Sequence, residues 1–218
     1  MKTKMMGLLG ALGLLATLLG GCGGTYESGV GPGDGAAVTG NKTQAAIAGD
    51  KAVPPTAQYM PLRVGAKWNY RFTNCLDGSG YNVTASSNRA VTKSGATWYE
   101  VAWWYDRDVR ETICYRHDTA GLFAWINGQP ATGFALKTPL QVNTAWTGAP
   151  WAYKIISTDC MTTGPMGTLR GCVRVDGTNG GITRKTWYAP NVGMYREEIW
   201  FGATRFGRTE LTSLYLPR

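Results

Sequence analysis

Large apolar and polar residues alternate with a period of two along most of the chain from Gln58 onward. The segment Trp68–Thr73 reads Trp-Asn-Tyr-Arg-Phe-Thr, and Tyr99–Tyr105 has a large apolar residue at every second position. Because successive side chains of a strand point to opposite faces of a sheet, this pattern predicts strands with one buried face. Helical spacing does not persist beyond a turn or two after Tyr59. The sequence therefore predicts an all-β domain over residues 57–218 with few helices.

Turns predict the register of two hairpins. One hairpin has its loop at residues 106–108, and the other has a two-residue turn at Gly202-Ala203. Glycine at the first central position is what a type II′ turn requires. The residues predicted to lie opposite each other are Val101 and Ile113, Tyr99 and Tyr115, Trp200 and Arg205, Ile199 and Phe206, and Glu197 and Arg208.

Two short echoes indicate an internal repeat. Pro61–Trp68 reads PLRVGAKW and is echoed by PLQVNTAW at Pro139–Trp146, while Trp-Tyr occurs at 98–99 and again at 187–188. We interpret these echoes as two similar meander halves that share one core. The predicted architecture is one antiparallel, curved sheet, either a half-barrel or an open barrel. Chance similarity in an aromatic-rich chain is the alternative, because the two echoes have different spacings.

The N-terminus has the pattern of an export signal. Lys2 and Lys4 precede an uncharged run that ends at Gly21 and is too short for a typical membrane-spanning helix. Cys22 follows directly, and the sequence around it resembles the bacterial lipobox, in which a cysteine is acylated and becomes the first residue after cleavage. We predict a lipoprotein signal peptide at 1–21 and a lipidated Cys22. An ordinary secretory signal that happens to contain a cysteine is the alternative.

Residues 22–56 are predicted to form a flexible tether that begins at the lipidated cysteine. The segment is rich in Gly, Ala, Thr, Ser and Pro, and Tyr26 is its only aromatic residue. A flexible chain of this length spans on the order of 30 Å. Several acyl chains anchor a protein almost permanently, so we expect a membrane-anchored protein of the cell envelope. Gly23 stands where inner-membrane retention signals usually have aspartate, which favours the outer membrane.

Four cysteines follow Cys22, and export favours disulfide bonds between them. They are Cys75, Cys114, Cys160 and Cys172. Four cysteines allow three connectivities. A hairpin would put Cys160 opposite Cys172, and a Cys75–Cys114 bridge could join neighbouring strands on the outer face. A metal site is the less favoured alternative, because the four cysteines show no C-x-x-C spacing.

Three segments carry a family resemblance. Tyr59–Tyr70 reads YMPLRVGAKWNY, Leu169–Val175 reads LRGCVRV and Trp187–Met194 reads WYAPNVGM. They resemble parts of a group of bacterial envelope lipoproteins that have no assigned activity. In that group the folded part opens with Y-x-P-L-x-x-G-x-x-W-x-Y, and a W-Y-A-P-G-V-G-like turn follows later. The resemblance implies an antiparallel, curved half-barrel sheet and no reaction. Asn191 replaces the usual glycine, and asparagine tolerates a left-handed backbone.

The residues do not point to an enzyme. His117 is the only histidine in the chain, which excludes a multi-histidine metal centre. It precedes Asp118 at the end of a predicted strand, where a solvated pair is the ordinary outcome. We therefore expect no metal, no cofactor and no catalysis, and a hydrolase that uses His117 is the least favoured hypothesis. The formal net charge of +8 suits anionic lipid or cell-wall polymer in an exported protein, and we expect no nucleic-acid partner.

Tryptophan is abundant, with nine residues in the chain. The candidates for ligand binding are Trp103, Trp104, Trp125, Trp151 and Trp187. A concave sheet lined by such residues would accept a lipid tail or a sugar ring, while core filling is the alternative. The sequence therefore predicts an envelope lipoprotein whose β domain binds an apolar or glycan ligand or another envelope component. A structural or assembly role without a small ligand is the alternative.

Overall fold

The computed structural model describes residues 55–106, 109–126, 129–148 and 150–218. The predicted signal peptide, Cys22 and the tether up to residue 54 lie outside the described residues. Thr56 is fully buried, so the folded part includes the last two residues of the segment that the sequence assigned to the tether. Among the described residues, no helix is long and apolar enough to cross a membrane.

The described residues form twelve antiparallel strands in one sheet, which confirms the predicted all-β class. A short 3-10 helix, Pro55–Tyr59, precedes them. The strands are β1 (Lys67–Asn74), β2 (Gly80–Lys93), β3 (Ala96–Tyr105), β4 (Val109–Asp118), β5 (Gly121–Ile126), β6 (Gln129–Lys137), β7 (Ala145–Gly148), β8 (Trp151–Gly164), β9 (Gly167–Asn179), β10 (Ile182–Ala189), β11 (Gly193–Phe201) and β12 (Thr204–Tyr215).

The sheet consists of two six-stranded meanders. Its strand order is β6-β5-β4-β3-β2-β1-β12-β11-β10-β9-β8-β7, so the halves join where β1 pairs with β12. Trp68 in β1 and Trp146 in β7, from the first echo, open the two halves, and both are buried. Their indole N–H groups donate to the carbonyls of Val192 at 2.7 Å and Phe134 at 2.8 Å. The Trp-Tyr echo does not follow this division, because its copies lie in the third strand of one half and the fourth of the other.

The edge strands β6 and β7 approach each other and nearly close the sheet into a barrel. A Cβ atom added to Gly148 in β7 would lie 2.9 Å from the Cα of Gly133 in β6. The two backbones therefore meet where both residues lack a side chain. Trp146 also spans this gap, through its hydrogen bond to Phe134. No backbone ladder joins β6 to β7 in the described part of the chain. The predicted curved, barrel-like sheet is confirmed.

The predicted hairpin registers are confirmed in part. The confirmed pairs are Val101 with Ile113, Tyr99 with Tyr115, and Trp200 with Arg205. A β-bulge next to the last pair adds one residue, Phe206, to β12. Glu198 then lies opposite Arg208, so the predicted pairs of Ile199 with Phe206 and of Glu197 with Arg208 are wrong. Glu197 has a different partner on the inner face of the barrel.

One end of the barrel is capped by residues 55–66, which we call the cap segment. Its buried side chains are Thr56, Tyr59, Met60, Leu62 and Ala66. His117, near the end of β4, holds this segment in place. Its Nε2 donates to the carbonyl of Met60 at 2.7 Å, because a carbonyl can only accept, and its Nδ1 then accepts from the hydroxyl of Thr56 at 3.0 Å. The opposite end, which we call the far end, contains the last residues of β1, β3, β7, β9 and β11.

Candidate functional site

Six polar side chains lie on the inner face of the barrel, toward the far end for all but Tyr188, which is near the cap end of β10. We call them the interior polar cluster, and they are Tyr105, Glu111, Tyr153, Arg184, Tyr188 and Glu197. They project from strands β3, β4, β8, β10 and β11. Side chains alternate between the two faces of a sheet. Each of these residues occupies one of the positions of its strand that point into the barrel, which we call inward parity. The rest of the inner face toward the cap is mainly apolar core.

An ion pair between Arg184 and Glu197 is the centre of this cluster. The Nε of Arg184 donates to Oε2 of Glu197 at 2.6 Å, and the hydroxyl of Thr186 donates to the same oxygen at 3.5 Å. The carboxylate of Glu197 raises the pKa of Arg184, and burial opposes this. The guanidinium is therefore charged at every physiological pH.

The guanidinium of Arg184 faces a space that water can enter. Its side chain is 43% exposed, while that of Glu197 is 10% exposed. Protein atoms nevertheless surround Arg184 densely, so the exposed atoms face the interior of the barrel. Within the described residues, Arg184 uses Nε for its hydrogen bond, which leaves the terminal Nη groups available to a ligand.

Tyrosine hydroxyls surround this pair. The hydroxyl of Tyr105 donates to Oε2 of Glu111 at 3.2 Å, and that of Tyr188 donates to the carbonyl of Ala135 in β6 at 3.4 Å. Burial raises the pKa of Tyr105 and Tyr188. Burial also raises the pKa of Tyr153, although the charge of Arg184 opposes it. These hydroxyls therefore stay protonated and can donate hydrogen bonds.

Besides the hydroxyl of Ser87, two buried donors on the inner face lack a partner among the described residues. They are the hydroxyl of Tyr70 and the Nε1 of Trp103. Tyr70 is 1% exposed and Trp103 is 9% exposed, and their rings stack with centroids 5.8 Å apart. A buried polar group left without a partner costs about 1–3 kcal/mol. Both polar atoms are closed off from solvent, so they do not face an open space in the barrel.

Aromatic rings form a second part of the site, next to Arg184. Tyr153 stacks on Trp146 with centroids 5.5 Å apart and on Trp151 with centroids 6.4 Å apart. Gly177, which lies opposite both Tyr153 and Arg184, makes room for this layer. A Cβ atom at Gly177 would lie 2.7 Å from the Tyr153 ring. We call Trp146, Trp151 and Tyr153 the aromatic layer.

Trp151 connects the aromatic layer to solvent. It lines an open depression of about 570 Å³ at the far end of β7, β8 and β9. The other lining residues are Thr147, Pro150, Ala152, Thr178, Asn179 and Gly180. The depression contacts neither Tyr153 nor Arg184, and its residues Thr147, Ala152 and Thr178 have the outward parity of their strands.

The five tryptophans proposed from the sequence do not form one surface. Trp103 and Trp151 lie on the inner face, as described above. Trp104 is 38% exposed on the outer face. Trp125 lies on the outer face as well, edge-on to Trp98 with centroids 5.4 Å apart. Of the five candidates, the structure therefore places only Trp103 and Trp151 on the inner face, and ligand binding by them stays a prediction.

Trp187 belongs to a layer of aromatic rings and cations on the outer face. The guanidinium groups of Arg174 and Arg196 each lie 5.4 Å from its ring. Lys185 lies 4.0 Å from the ring of Trp200. These cation–π contacts shield the outer tryptophans from water and explain much of the tryptophan surplus.

The cysteines follow the prediction for one pair and not for the other. Cys160 in β8 lies directly opposite Cys172 in β9, and a hydrogen bond from the Cys172 thiol lowers the pKa of Cys160 to about 7. None of the four cysteines of the described residues forms a disulfide bond in the structure. Cys75 follows β1 and Cys114 lies in β4, and β2 and β3 separate these strands. The predicted bridge between Cys75 and Cys114 on neighbouring strands is therefore wrong.

His117 has a structural environment. Both ring nitrogens are engaged by the cap segment, through Thr56 and Met60. Its neighbour Asp118 accepts from Arg116 at 3.0 Å and from the backbone N–H of Ala120 at 2.8 Å. A histidine with both nitrogens occupied in this way is not available as a general base. Among the described residues, no group of three His, Cys, Asp or Glu side chains is placed to hold a metal ion.

The interior polar cluster was not predicted from the sequence. A signal for it does exist in β10 and β11. Arg184 has the same parity as the buried Thr186, and Glu197 has the same parity as the buried Tyr195. A charged residue at an inward position on each of two adjacent strands indicates a functional interior.

Comparison with known proteins gives only distant likenesses. No family model matches the chain, and no curated protein matches it. A protein of Bacteroides fragilis NCTC 9343, described as exported and YmcC-like in fold, has 10% sequence identity and a TM-score of 0.49, over 72% of this chain and 98% of that one. A protein of Parabacteroides distasonis ATCC 8503, described as a lipoprotein, has 14% identity and a TM-score of 0.48, over 72% and 98% of the two chains. These likenesses are too distant to transfer a function.

Proposed function

We propose that this protein is exported, is anchored to the membrane by lipid on Cys22, and binds a small ligand on the inner face of its barrel. Export and lipidation are supported by Lys2 and Lys4 at the N-terminus, by the apolar run that follows them and by the position of Cys22. Gly23 supports the outer membrane as the site of anchoring. The ligand would be bound and not transformed.

The water-accessible Arg184–Glu197 pair inside the barrel is the observation that carries the ligand-binding proposal. The carboxylate of Glu197 is buried. Removing a charge from water is costly, and apolar side chains of similar volume would stabilise the barrel at least as well. The arrangement also leaves the Nη groups of Arg184 available on a side chain that water can reach. A bound molecule that supplies acceptors to these groups accounts for both features.

Native mass spectrometry of the full chain tests ligand binding. The protein is extracted from membranes in a zwitterionic detergent and compared with Arg184→Met and with Lys185→Met. Lys185 is the matched control, because it is the next residue and faces outward against Trp200. We expect an added small-molecule mass on the wild type and on Lys185→Met, and its loss from Arg184→Met. An unmodified mass for all three proteins would contradict ligand binding and favour an assembly role.

A further inference from the structure

The end of the barrel that the cap segment covers, which we call the cap end, has an excess of positive charge. Two of its carboxylates are already paired, Glu100 with Arg89 at 2.6 Å and Asp118 with Arg116 at 3.0 Å. Asp159, exposed in β8, adds one more carboxylate. The cations at this end that have no carboxylate partner among the described residues include Arg63, Lys67, Lys137 and Arg170.

Part of this charge lies beside exposed apolar side chains where β1 begins. Lys67 lies directly opposite Tyr215 at the end of β12, and Tyr215 is exposed. The guanidinium of Arg63 donates to the carbonyl of Pro217 at 3.1 Å, shortly after Tyr215 in the chain. Val64, next to Arg63, is exposed as well. Cations and apolar side chains therefore share one patch of the surface.

The β8–β9 hairpin adds a second group of the same composition. Met161 and Met166 are exposed near its turn, and Arg170 is exposed in β9. Arg196 in β11 donates to the carbonyl of Thr163 at 3.4 Å, so the hairpin lies against the strand that neighbours β12. We call these two groups of cations and exposed apolar side chains the docking face. Exposed apolar side chains that are rimmed by charge are typical of surfaces that bind a protein or a membrane.

The chain enters the barrel beside the docking face. The cap segment begins at Pro55, and residues 1–54 precede it. The hydroxyl of Tyr59 in this segment donates to the carbonyl of Gly171 in β9 at 3.2 Å, so the entry point lies next to the β8–β9 hairpin. The predicted tether spans on the order of 30 Å. A lipid on Cys22 would therefore keep a membrane surface within reach of the docking face at a high effective concentration.

We propose that the docking face binds the anionic phospholipid surface of the membrane that holds the anchor. This inference rests on the lipid anchor of the proposed function. Each lysine or arginine near an anionic surface strengthens binding about fivefold. The exposed apolar side chains enter the boundary between headgroups and acyl chains. A soluble polyanion offers nothing to these apolar side chains, and an uncharged membrane offers nothing to the cations, so an anionic membrane matches both.

Vesicle binding of the domain, before and after it is cut from its anchor, tests this inference. A site for a sequence-specific protease is inserted after Gly40 of the full chain, and the protein is reconstituted into vesicles. One set of vesicles has equal parts of phosphatidylglycerol and phosphatidylcholine, and the other has phosphatidylcholine alone. Sedimentation measures the fraction of the cut domain that stays with the vesicles. We expect a partition coefficient at least tenfold higher on the anionic vesicles, and a decrease of this coefficient with added salt.

Charge-reversed variants test whether the docking face is responsible. Lys67→Glu combined with Arg170→Glu should lower the partition coefficient on anionic vesicles at least tenfold. Arg71→Glu combined with Lys154→Glu is the matched control, because it makes the same change of charge at exposed positions away from the cap end. The control should keep most of the binding. An equal loss in the two double variants, with both proteins folded by circular dichroism, would overturn docking by this face.

The apolar part of the face has its own pair of variants. Val64→Ser should lower the partition coefficient roughly threefold, because a buried valine contributes to binding through its apolar area. Leu76→Ser changes an exposed apolar residue at the far end and should leave the coefficient unchanged. Equal effects of the two variants would contradict insertion of this face into the membrane.

The outcomes separate docking from the anchor. A wild-type domain that is released from both kinds of vesicle after cleavage, or that partitions equally onto both, would overturn docking, while sedimentation of the uncut protein would still support the anchor. Failure of the uncut protein to sediment with neutral vesicles would contradict the anchor. The cut domain, added to anionic vesicles, would then still decide whether the docking face binds them.

Discussion

His117 links the strand β4 to the cap segment through both of its ring nitrogens. As the neutral tautomer with its proton on Nε2, the ring donates to Met60 and accepts from Thr56. A protonated ring would carry its charge into a site that burial shields from water, which is unfavourable. Folding therefore favours the neutral imidazole.

This preference predicts that stability falls on acidification. Burial lowers the pKa of His117 below its usual value of 6.5, so between the lowered value and 6.5 the unfolded chain binds a proton that the folded chain does not. The free energy of unfolding therefore decreases as the pH falls below about 6.5. Urea unfolding between pH 7.5 and pH 5 measures this loss for the wild type.

His117→Asn and Asp118→Asn are the variants to compare. His117→Asn should be less stable by about 1–3 kcal/mol at pH 7.5, because it disturbs two hydrogen bonds to buried groups. It should also lose part of the pH dependence near pH 6, whereas Asp118→Asn should keep it. Parallel curves for the wild type and His117→Asn would show that another group is responsible.

The sequence could predict which residues of a strand share a face, but it could not predict which of the two faces lines the inside of the barrel. The alternation assigns Trp103 and Trp104 to opposite faces, and the structure agrees, with 9% and 38% of these residues exposed. It does not tell which face is the interior of the barrel. Trp187 shows the difficulty, since Arg174 and Arg196 cover it on the outside. An aromatic surplus can thus arise from an outer layer of cations and rings as well as from a binding surface.

At the level of elements, registers set by a hairpin loop were predictable and registers altered by a bulge were not. The β3–β4 hairpin keeps a regular alternation on both strands, so its loop determines every pair. The bulge at Phe206 in β12 depends on how this strand fits between β1 and β11. Such a fit is a property of the whole sheet. It places Arg208 opposite Glu198 and leaves Glu197 to pair with Arg184, so the centre of the candidate site could not be deduced locally.

The β8–β9 pair predicts a disulfide bond in the exported protein. Cys160 and Cys172 lie opposite each other on adjacent strands, and the lowered pKa of Cys160, about 7, favours the reactive thiolate. Closing a loop of roughly a dozen residues should contribute about 3 kcal/mol to the free energy of unfolding. Alkylation of the denatured protein without reductant should label Cys75 and Cys114 and spare the other two.

Two serine variants complete this test. Cys160→Ser should lower the midpoint of urea unfolding to the value that the wild type shows after reduction. Cys75→Ser, at the end of β1, should leave the effect of reductant unchanged. Labelling of Cys160 and Cys172 in the exported protein without reductant would contradict the bond.

For the whole molecule, the cap segment and most of the interior polar cluster lie at opposite ends of the barrel. The described chain begins at Pro55, in the cap segment, so the residues that lead back to Cys22 join the barrel at its capped end. The depression at Trp151 lies at the far end. Arg184, the third residue of β10, lies near this end as well, so a ligand that binds Arg184 from this end would approach from the side remote from the point where the anchor is attached.

Replacement of Cys22 tests the anchor on which this arrangement depends. Each buried methylene contributes about 0.8 kcal/mol to membrane binding, so loss of several acyl chains should release the protein. Cells supplied with radiolabelled palmitate should label the wild type and Cys75→Ser, which serves as the control for a cysteine in the folded domain, but not Cys22→Ser. The labelled proteins should sediment with outer membranes. Incorporation of label into Cys22→Ser would contradict the proposed anchor. Retention of the wild type in the inner membrane would contradict the proposed outer-membrane location.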